Sequence, residues 1–212
     1  MVTKPDPDRY GSIDHGPEIE TKVQGSRFLG QAFRVATMAE AEALVHDVSR
    51  KYHDATHHCR AVRLGPPEGP FERGDDDGEP SGTAGTPILG ALRRADIFDA
   101  LIVVTRYFGG TKLGTGGLVR AYGDAARSAL EVAPPRTIWR EAVLTLVFAY
   151  EDVGVVETFL AREAGVIRHV ERVFEARPRF VVTVLQSAGE RLRGVIVEAS
   201  AGRVSVAGPE PI

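Results

Sequence analysis

The sequence of 212 residues carries a formal net charge of −3 and 43% hydrophobic residues; these are values of an ordinary globular protein, and they exclude a generally basic nucleic-acid-binding coat. Its single cysteine, Cys59, excludes an internal disulfide framework and a cysteine-based zinc site. The longest strongly apolar run, residues 100–104, is too short to cross a bilayer, and the first residues lack the apolar segment of a secretory signal. We therefore expect a cytoplasmic protein without a membrane partner.

The N-terminal part of the chain predicts a strand, a helix and a second strand after a loose lead-in. Residues 1–20 are rich in Pro, Asp and Gly and lack periodicity, so we expect them to be flexible. Residues 26–35 are typical of a strand, residues 38–52 place apolar side chains at helical spacing, and residues 57–64 alternate as a strand does.

A long loop and a buried strand follow. Residues 65–85 are dense in Gly, Pro and Asp, and a loop of this length inside a compact domain is usually functional or disordered. Thr86 is predicted to be the N-cap of the next helix, with a proline at its first position. Residues 100–107 predict a buried central strand. A second glycine-rich loop, residues 108–117, leads into another helix, which ends before the two prolines at residues 134–135.

The remainder of the chain predicts a second domain with the order β-α-β-β-α-β. This is the ferredoxin-like pattern. Its strands are predicted at residues 141–150, 165–174, 179–186 and 203–207. We therefore predict an α+β protein of two domains, a two-layer α/β domain at residues 21–133 and a ferredoxin-like domain at residues 138–208.

The first glycine-rich loop, residues 74–86, gathers four acids within five positions. Their oxygen atoms could bind a divalent cation, although their spacing is not that of an EF-hand. A solvated turn, fixed by its Asp-Gly and Glu-Pro pairs, is the structural alternative. The candidate metal ligands are Asp76, Asp77, Glu79 and His57.

The second glycine-rich loop favours an anion. Five glycines, together with Lys112, precede a helix, so backbone N–H groups and the helix dipole point toward one place. The spacing fits neither a Walker A loop nor a dinucleotide-binding fingerprint, so nucleotide hydrolysis is not supported. The structural alternative is that the glycines permit tight turns and close packing.

We predict no catalytic residue, and we predict a set of ligand-binding residues for phosphate or nucleic acid. This set comprises Arg106, Gly109, Gly110, Thr111, Lys112, Gly114, Thr115, Gly116 and Arg120 around the second loop, with Ser81, Thr83 and Gly85 of the first loop.

Three segments of the chain resemble the YigZ/IMPACT family. They are ATHHCRAVRLG at residues 55–65, DDGEPSGTAGTPIL at residues 76–89 and VVTRYFGGTKLGTGGLVRAYGDA at residues 103–125. The RYFGG-x-K-LG-x-GGL part of the third segment is very specific. Asp75, where the family usually has Ser, and His58, where Asn is common, leave the glycine framework intact.

The resemblance implies a fold and a field of function. It implies a first domain of the kind found in a small-subunit ribosomal protein and in elongation factor G, and a second domain similar to a ferredoxin-like module of elongation factors. Eukaryotic members act in translational control through an additional domain, so that activity is not expected to transfer. Bacterial members are regarded as nucleic-acid or ribosome binders without an established reaction.

We therefore predict a non-enzymatic RNA- or ribosome-binding protein linked to the regulation of translation, without a cofactor. Arg106 and Arg120 would supply charge to phosphates held by the second loop. One alternative is a metal-dependent enzyme acting on a small phosphorylated or peptide-like substrate. Another is an adaptor for a protein partner in translation, which would need a contiguous exposed apolar patch. If the two loops line a single cleft, a shared site is favoured over two separate structural turns.

Overall fold

The computed structural model describes residues 6–211, which form two compact units. The larger unit comprises residues 10–138, and the smaller one comprises residues 139–211 together with residues 6–9. Within residues 6–211, no helix is both long enough and apolar enough to cross a membrane. We retain the division into two domains as a proposal, with a boundary near residue 138.

The larger unit is built on a five-stranded antiparallel sheet. The sheet has the order β2-β3-β6-β4-β5, while β1 pairs with β7 in a separate two-stranded sheet. The elements in chain order are β1 (Arg9–Ile13), β2 (Ile19–Val23), β3 (Ser26–Arg34), α1 (Met38–Lys51), β4 (His57–Leu64), β5 (Phe71–Asp75), α2 (Gly85–Ala95), β6 (Ala100–Tyr107), α3 (Gly114–Val132) and β7 (Pro135–Trp139).

Strand β6 lies at the centre of this sheet and is buried on both faces, as its sequence predicts. Ala100, Ile102 and Val104 belong to the core that contains α2 and α3, whereas Leu101 and Val103 belong to the core that contains α1. All five residues are at most 1% exposed. Helix α1 therefore adds a third layer to the predicted two-layer arrangement, because it covers the second face of the sheet.

The structure corrects the prediction of a flexible lead-in. Strand β1 lies within residues 1–20, and β2 begins there. Long-range hydrogen bonds hold this segment: the Tyr10 hydroxyl donates to Asp99 at 2.5 Å, and the Asp14 N–H donates to the Pro134 carbonyl at 2.8 Å. Such partners leave no periodic pattern in the local sequence. Residues 1–5 of the predicted lead-in lie outside the described residues.

The predicted loop at residues 65–85 also contains a strand. Strand β5 pairs with β4 in antiparallel register at the edge of the sheet. Its sequence, FERGD, has no apolar alternation because neither of its faces is fully buried. The glycine-rich part of the loop that connects to α2 is therefore short and begins where β5 ends.

Helix α3 packs closely on β3 because small residues line the contact. A Cβ atom at Gly30 would lie 2.7 Å from the Ala125 carbonyl oxygen and 3.2 Å from the Ala129 Cβ. Ala125 and Ala129 are themselves at most 1% exposed. This close approach fixes α3 against the sheet and so positions its N-terminus, which follows the second glycine-rich loop.

The smaller unit has the predicted ferredoxin-like order, and the α+β fold class is confirmed. Its sheet has the strand order β11-β8-β10-β9, with antiparallel neighbours. Side chains from β8 and β10, such as Leu144 and Val182, pack with Phe159 and Leu192 of the two helices. The elements are β8 (Glu141–Val147), α4 (Val153–Arg162), β9 (Ile167–Val173), β10 (Arg179–Leu185), α5 (Gly189–Ala199) and β11 (Ser205–Pro211).

Replacing Gly30 by Ala is expected to destabilise the larger unit by about 1–3 kcal/mol, because the new Cβ would push α3 away from β3. Urea unfolding followed by circular dichroism measures this loss. Gly123→Ala, on the same helix, is the control: a Cβ there meets Pro87 at an ordinary 3.7 Å, and alanine favours the helix. Equal stabilities of the two variants would contradict the close packing of α3 on β3.

Candidate functional site

The two glycine-rich loops line one pocket, as expected for a shared site. The pocket has a volume of about 340 Å³, which lies in the range of small-ligand sites. Its lining consists of Glu79 and Pro80 from the first loop, Phe108, Lys112, Leu113, Gly114 and Thr115 from the second loop and the start of α3, and Arg106 and Leu118.

The first loop caps the N-terminus of helix α2 with a carboxylate of the protein itself. Asp76 accepts hydrogen bonds from the backbone N–H groups of Gly82, Ala84 and Gly85 at 2.8, 2.9 and 2.8 Å. Burial alone would raise the pKa of Asp76, but the three hydrogen bonds outweigh it and leave that pKa lowered. The prediction that Thr86 is the N-cap is wrong, because α2 begins at Gly85 and the side chain of Asp76 caps it.

The remaining predicted binding residues of the first loop build the loop itself. Ser81 is exposed, and the buried Thr83 donates its hydroxyl to the Pro80 carbonyl at 2.6 Å. Gly85 lies against β5, where a Cβ would be 2.4 Å from the Asp75 nitrogen. None of these three predicted residues is part of the pocket lining.

The acids next to Asp76 also have partners within the protein. Asp75 forms an ion pair with Arg60 at 2.5 Å, and Asp77 accepts the His58 N–H at 2.7 Å. The His57 Nδ1–H donates to the Asp77 carbonyl at 2.7 Å. Among residues 6–211, no group of three or more His, Cys, Asp or Glu is arranged to hold a metal ion. The structure therefore does not assemble the candidate metal ligands Asp76, Asp77, Glu79 and His57 into one site.

Glu79 and Arg106 form a buried ion pair beside the pocket. The Arg106 Nη1 donates to Glu79 Oε1 at 2.6 Å, and the Tyr122 hydroxyl donates to the same oxygen at 2.8 Å. The Arg106 Nη2 donates to the Ser26 hydroxyl at 3.2 Å, and this hydroxyl also accepts the Gly109 N–H at 3.2 Å. Arg106 and Glu79 are 5% and 8% exposed. The pair therefore links both loops to β3 and α3.

This pairing changes the predicted role of Arg106. Its charge is compensated by Glu79, so it offers an incoming anion little free charge. Arg120 is exposed on α3 and outside the pocket lining. Lys112 is exposed and lines the pocket, and it has no ion pair with any of the described residues 6–211. Lys112 therefore carries the free positive charge of the pocket.

The second loop leaves the N-terminus of helix α3 open. The helix begins at Gly114, no side chain among residues 6–211 caps it, and its first turn holds no acid. Because the first N–H groups of a helix have no acceptor within the helix, those of Gly114, Thr115 and Gly116 need an outside partner. All three residues are exposed. The end of α3 therefore carries an uncompensated partial positive charge next to Lys112.

The other glycines of the second loop have structural roles. Gly109 crosses the backbone at Gly25, where a Cβ would lie 2.0 Å from a carbonyl carbon, and Gly110 has a φ of 85°. The tight-turn interpretation therefore fits these two predicted residues, and neither they nor Thr111 and Gly116 line the pocket. Lys112, Gly114 and Thr115 do line it.

Sequence reasoning missed the apolar part of the pocket. The predicted binding residues did not include Pro80, Phe108, Leu113 or Leu118. Leu118 lies four positions after Gly114, so helical spacing places both on one side of α3. That spacing was the signal available in the sequence.

The Cys59 thiol is not activated. It is fully buried and donates to the Asp76 carbonyl at 3.0 Å. Burial raises its pKa to about 12, so the reactive thiolate is scarce at neutral pH. Burial likewise lowers the pKa of His58 and raises the pKa of Tyr122. Cys59 and Tyr122 belong to the core of the larger unit.

Comparison with known proteins gives a consistent set of relatives. The Impact N-terminal domain family matches residues 24–130. The IMPACT family member YvyE of Bacillus subtilis is 41% identical over 121 residues, which cover 57% of this chain and 55% of that protein. An IMPACT family member of Haemophilus influenzae is 30% identical over 89% of this chain and 91% of its own length. The IMPACT family member YigZ of Escherichia coli is 36% identical over 70% of this chain and 74% of its own length.

A solved structure resembles the whole chain. The crystal structure of a hypothetical protein aligns with 96% of this chain and 98% of its own, with a TM-score of 0.68 and 27% sequence identity. The likeness extends across both compact units, so the ferredoxin-like unit is part of the shared fold.

Asp76→Asn is expected to destabilise the larger unit by about 1–2 kcal/mol at pH 7, because a neutral amide oxygen replaces a charged cap that serves three N–H groups. The folded-state pKa of Asp76 lies below its ordinary value of 3.8. The wild type is therefore more stable than Asp76→Asn by the full amount above pH 3.8. This difference in stability is lost as the pH falls through the folded-state pKa of Asp76.

Urea unfolding at pH 7 and at several pH values below 3.8 checks this dependence for Asp76. Asp47→Asn, at an exposed position of α1, is the control and should behave as the wild type at every pH. A stability gap between wild type and Asp76→Asn that stays constant in acid would contradict the capping role.

Glu79→Ala is expected to cost about 3–5 kcal/mol, because it leaves the Arg106 guanidinium buried without its counter-ion. The double variant Glu79→Ala/Arg106→Leu should recover a large part of this loss, since it removes the unpaired charge. Urea unfolding of the single and double variants gives the coupling between the two residues. Simple additivity of the two substitutions would count against the ion pair.

Proposed function

The chain belongs to the IMPACT family, and on that premise we propose that it is a non-enzymatic, cytoplasmic RNA-binding protein that acts on RNA or the ribosome in the regulation of translation. The observation that carries the proposal is the difference between two helix N-termini in the larger unit. Asp76 occupies the N-terminus of α2, whereas the N-terminus of α3 is uncapped and lies beside Lys112.

An uncapped helix end of this kind suits phosphate. Backbone N–H groups donate to the phosphate oxygens, and the helix dipole and Lys112 supply the attraction. The exposed Thr115 adds a hydroxyl that can donate to the same anion. Because RNA presents a phosphate at every nucleotide, such a site contributes affinity without requiring a basic protein surface. The net charge of −3 is compatible with this local mode of binding.

The link to translation comes from the family. The resemblance implies a first domain of the kind found in a small-subunit ribosomal protein and in elongation factor G, and the Impact N-terminal domain that this chain shares with the family contains the whole pocket. RNA or the RNA-rich surface of the ribosome is therefore the proposed partner.

The enzymatic alternative has less support. Its candidate ligands Asp76, Asp77 and Glu79 are engaged with backbone N–H groups or with Arg106. A cation there would have to displace several hydrogen bonds that hold the loop in place. Within the lining of the pocket, only Glu79 carries a carboxylate, and it is already paired.

Lys112→Ala is expected to weaken RNA binding and to make it less dependent on salt. Each phosphate contact that is lost removes roughly 0.7 to 0.9 units from the slope of log affinity against log salt concentration. Binding of the full chain to a single-stranded oligouridylate and to purified ribosomes, titrated at several salt concentrations, measures this slope.

Lys22→Ala is the matched control, because Lys22 is an exposed lysine of the same unit and lies on β2, outside the pocket. It should leave both the affinity and the slope unchanged. Thermal unfolding of both variants should match the wild type, since each change is at an exposed position. If the wild type shows no salt-sensitive association with RNA or ribosomes, the proposed function is wrong.

A further inference from the structure

The lining of the pocket between the loops contains two chemically different groups of residues. We call Lys112, Gly114 and Thr115, at the open end of α3, its polar side, and Pro80, Phe108, Leu113 and Leu118 its apolar side. The paired Glu79 and Arg106 complete the lining. A free phosphate would use only the polar side. The apolar side therefore points to a ligand that carries a flat or apolar group next to its phosphate.

Phe108 is held in place and yet remains accessible. Its backbone N–H donates to the Thr56 hydroxyl at 3.1 Å, and the Arg106 guanidinium carbon lies 5.5 Å from the centre of its ring. The residue is nevertheless 48% exposed. An aromatic ring that is fixed by its neighbours and open to solvent loses little freedom when a base stacks on it.

Arg106 supplies a second and independent observation. The residue lines the pocket and is only 5% exposed. Its two terminal nitrogens donate to Glu79 and Ser26, but its buried Nε–H has no acceptor among residues 6–211. A buried donor without an acceptor is unfavourable, and such groups in native proteins usually mark a missing partner.

From these observations we propose that the pocket takes one nucleotide of single-stranded RNA, with its base against Phe108 and its phosphate at the N-terminus of α3. The volume of about 340 Å³ is small and matches a single nucleotide better than a longer segment. This proposal rests on the proposed function, which it narrows from RNA in general to an unpaired strand.

The geometry selects against a duplex. In a double helix the bases are paired and stacked on one another, so they are not free to enter a pocket beside their own phosphate. A single strand can turn one base outward at low cost and stack it on an aromatic side chain. The phosphate contacts at α3 remain available to both forms. The apolar side of the pocket therefore distinguishes single-stranded from double-stranded RNA, and the polar side binds the phosphate of either form.

The test compares three probes of equal length, about ten nucleotides: a single-stranded oligouridylate, the corresponding RNA duplex, and an abasic strand that keeps the phosphates. The full chain should bind the oligouridylate most tightly. Phe108→Leu should raise its Kd for the oligouridylate about 5- to 150-fold and bring it close to the abasic value, with an unchanged salt slope. Phe71→Leu is the control, because Phe71 is 50% exposed on β5 and outside the pocket.

The outcomes separate this proposal from the one on which it rests. Salt-sensitive binding that depends on Lys112 but is equal for all three probes, or is unaffected by Phe108→Leu, overturns the nucleotide pocket and leaves RNA binding intact. An equal loss in Phe108→Leu and Phe71→Leu also overturns it. No salt-sensitive binding of any probe overturns the nucleotide pocket, and the same result with purified ribosomes overturns the proposed function as well. Circular dichroism and thermal unfolding verify that both phenylalanine variants are folded.

Discussion

The buried ion pair between Glu79 and Arg106 is the interaction on which the arrangement of the larger unit's loops depends. Glu79 comes from the first glycine-rich loop, Arg106 from the end of β6, and their hydrogen-bond partners Ser26 and Tyr122 from β3 and α3. Removing two charges from water is unfavourable, and the hydrogen bonds offset this only when every partner is in place. The network therefore favours one position of the two loops over others.

The consequences of this constraint reach from packing to electrostatics. Small residues at Gly30 and Ala125 let α3 approach the sheet, so that Tyr122 can donate to Glu79. The first loop then closes on its own helix through Asp76, while the second loop leaves α3 uncapped. Two glycine-rich segments of similar appearance thus acquire opposite properties: one supplies its own anion, and the other is free to receive one.

Local sequence patterns predicted most of the fold but little of the site. Strands β4 and β6 and the order of the smaller unit follow from periodicity and burial, which are properties of neighbouring residues. Strand β1 and the capping of α2 by Asp76 depend on partners that are distant in sequence or reached around a turn. The sequence did not predict that Glu79 compensates the charge of Arg106, because the two residues are 27 positions apart. The pocket became evident only when both loops were placed in space.

The pairing of β1 with β7 has a consequence for the order in which the chain is completed during synthesis. Asp14 and its ion-pair partner Arg136 are 122 positions apart. The ribosome makes the N-terminal segment first, so β1 has no partner strand until the residues that follow α3 have left the exit tunnel. The central sheet, whose last strand is β6, can form earlier. The two-stranded sheet therefore cannot form until almost all of the larger unit has been synthesised.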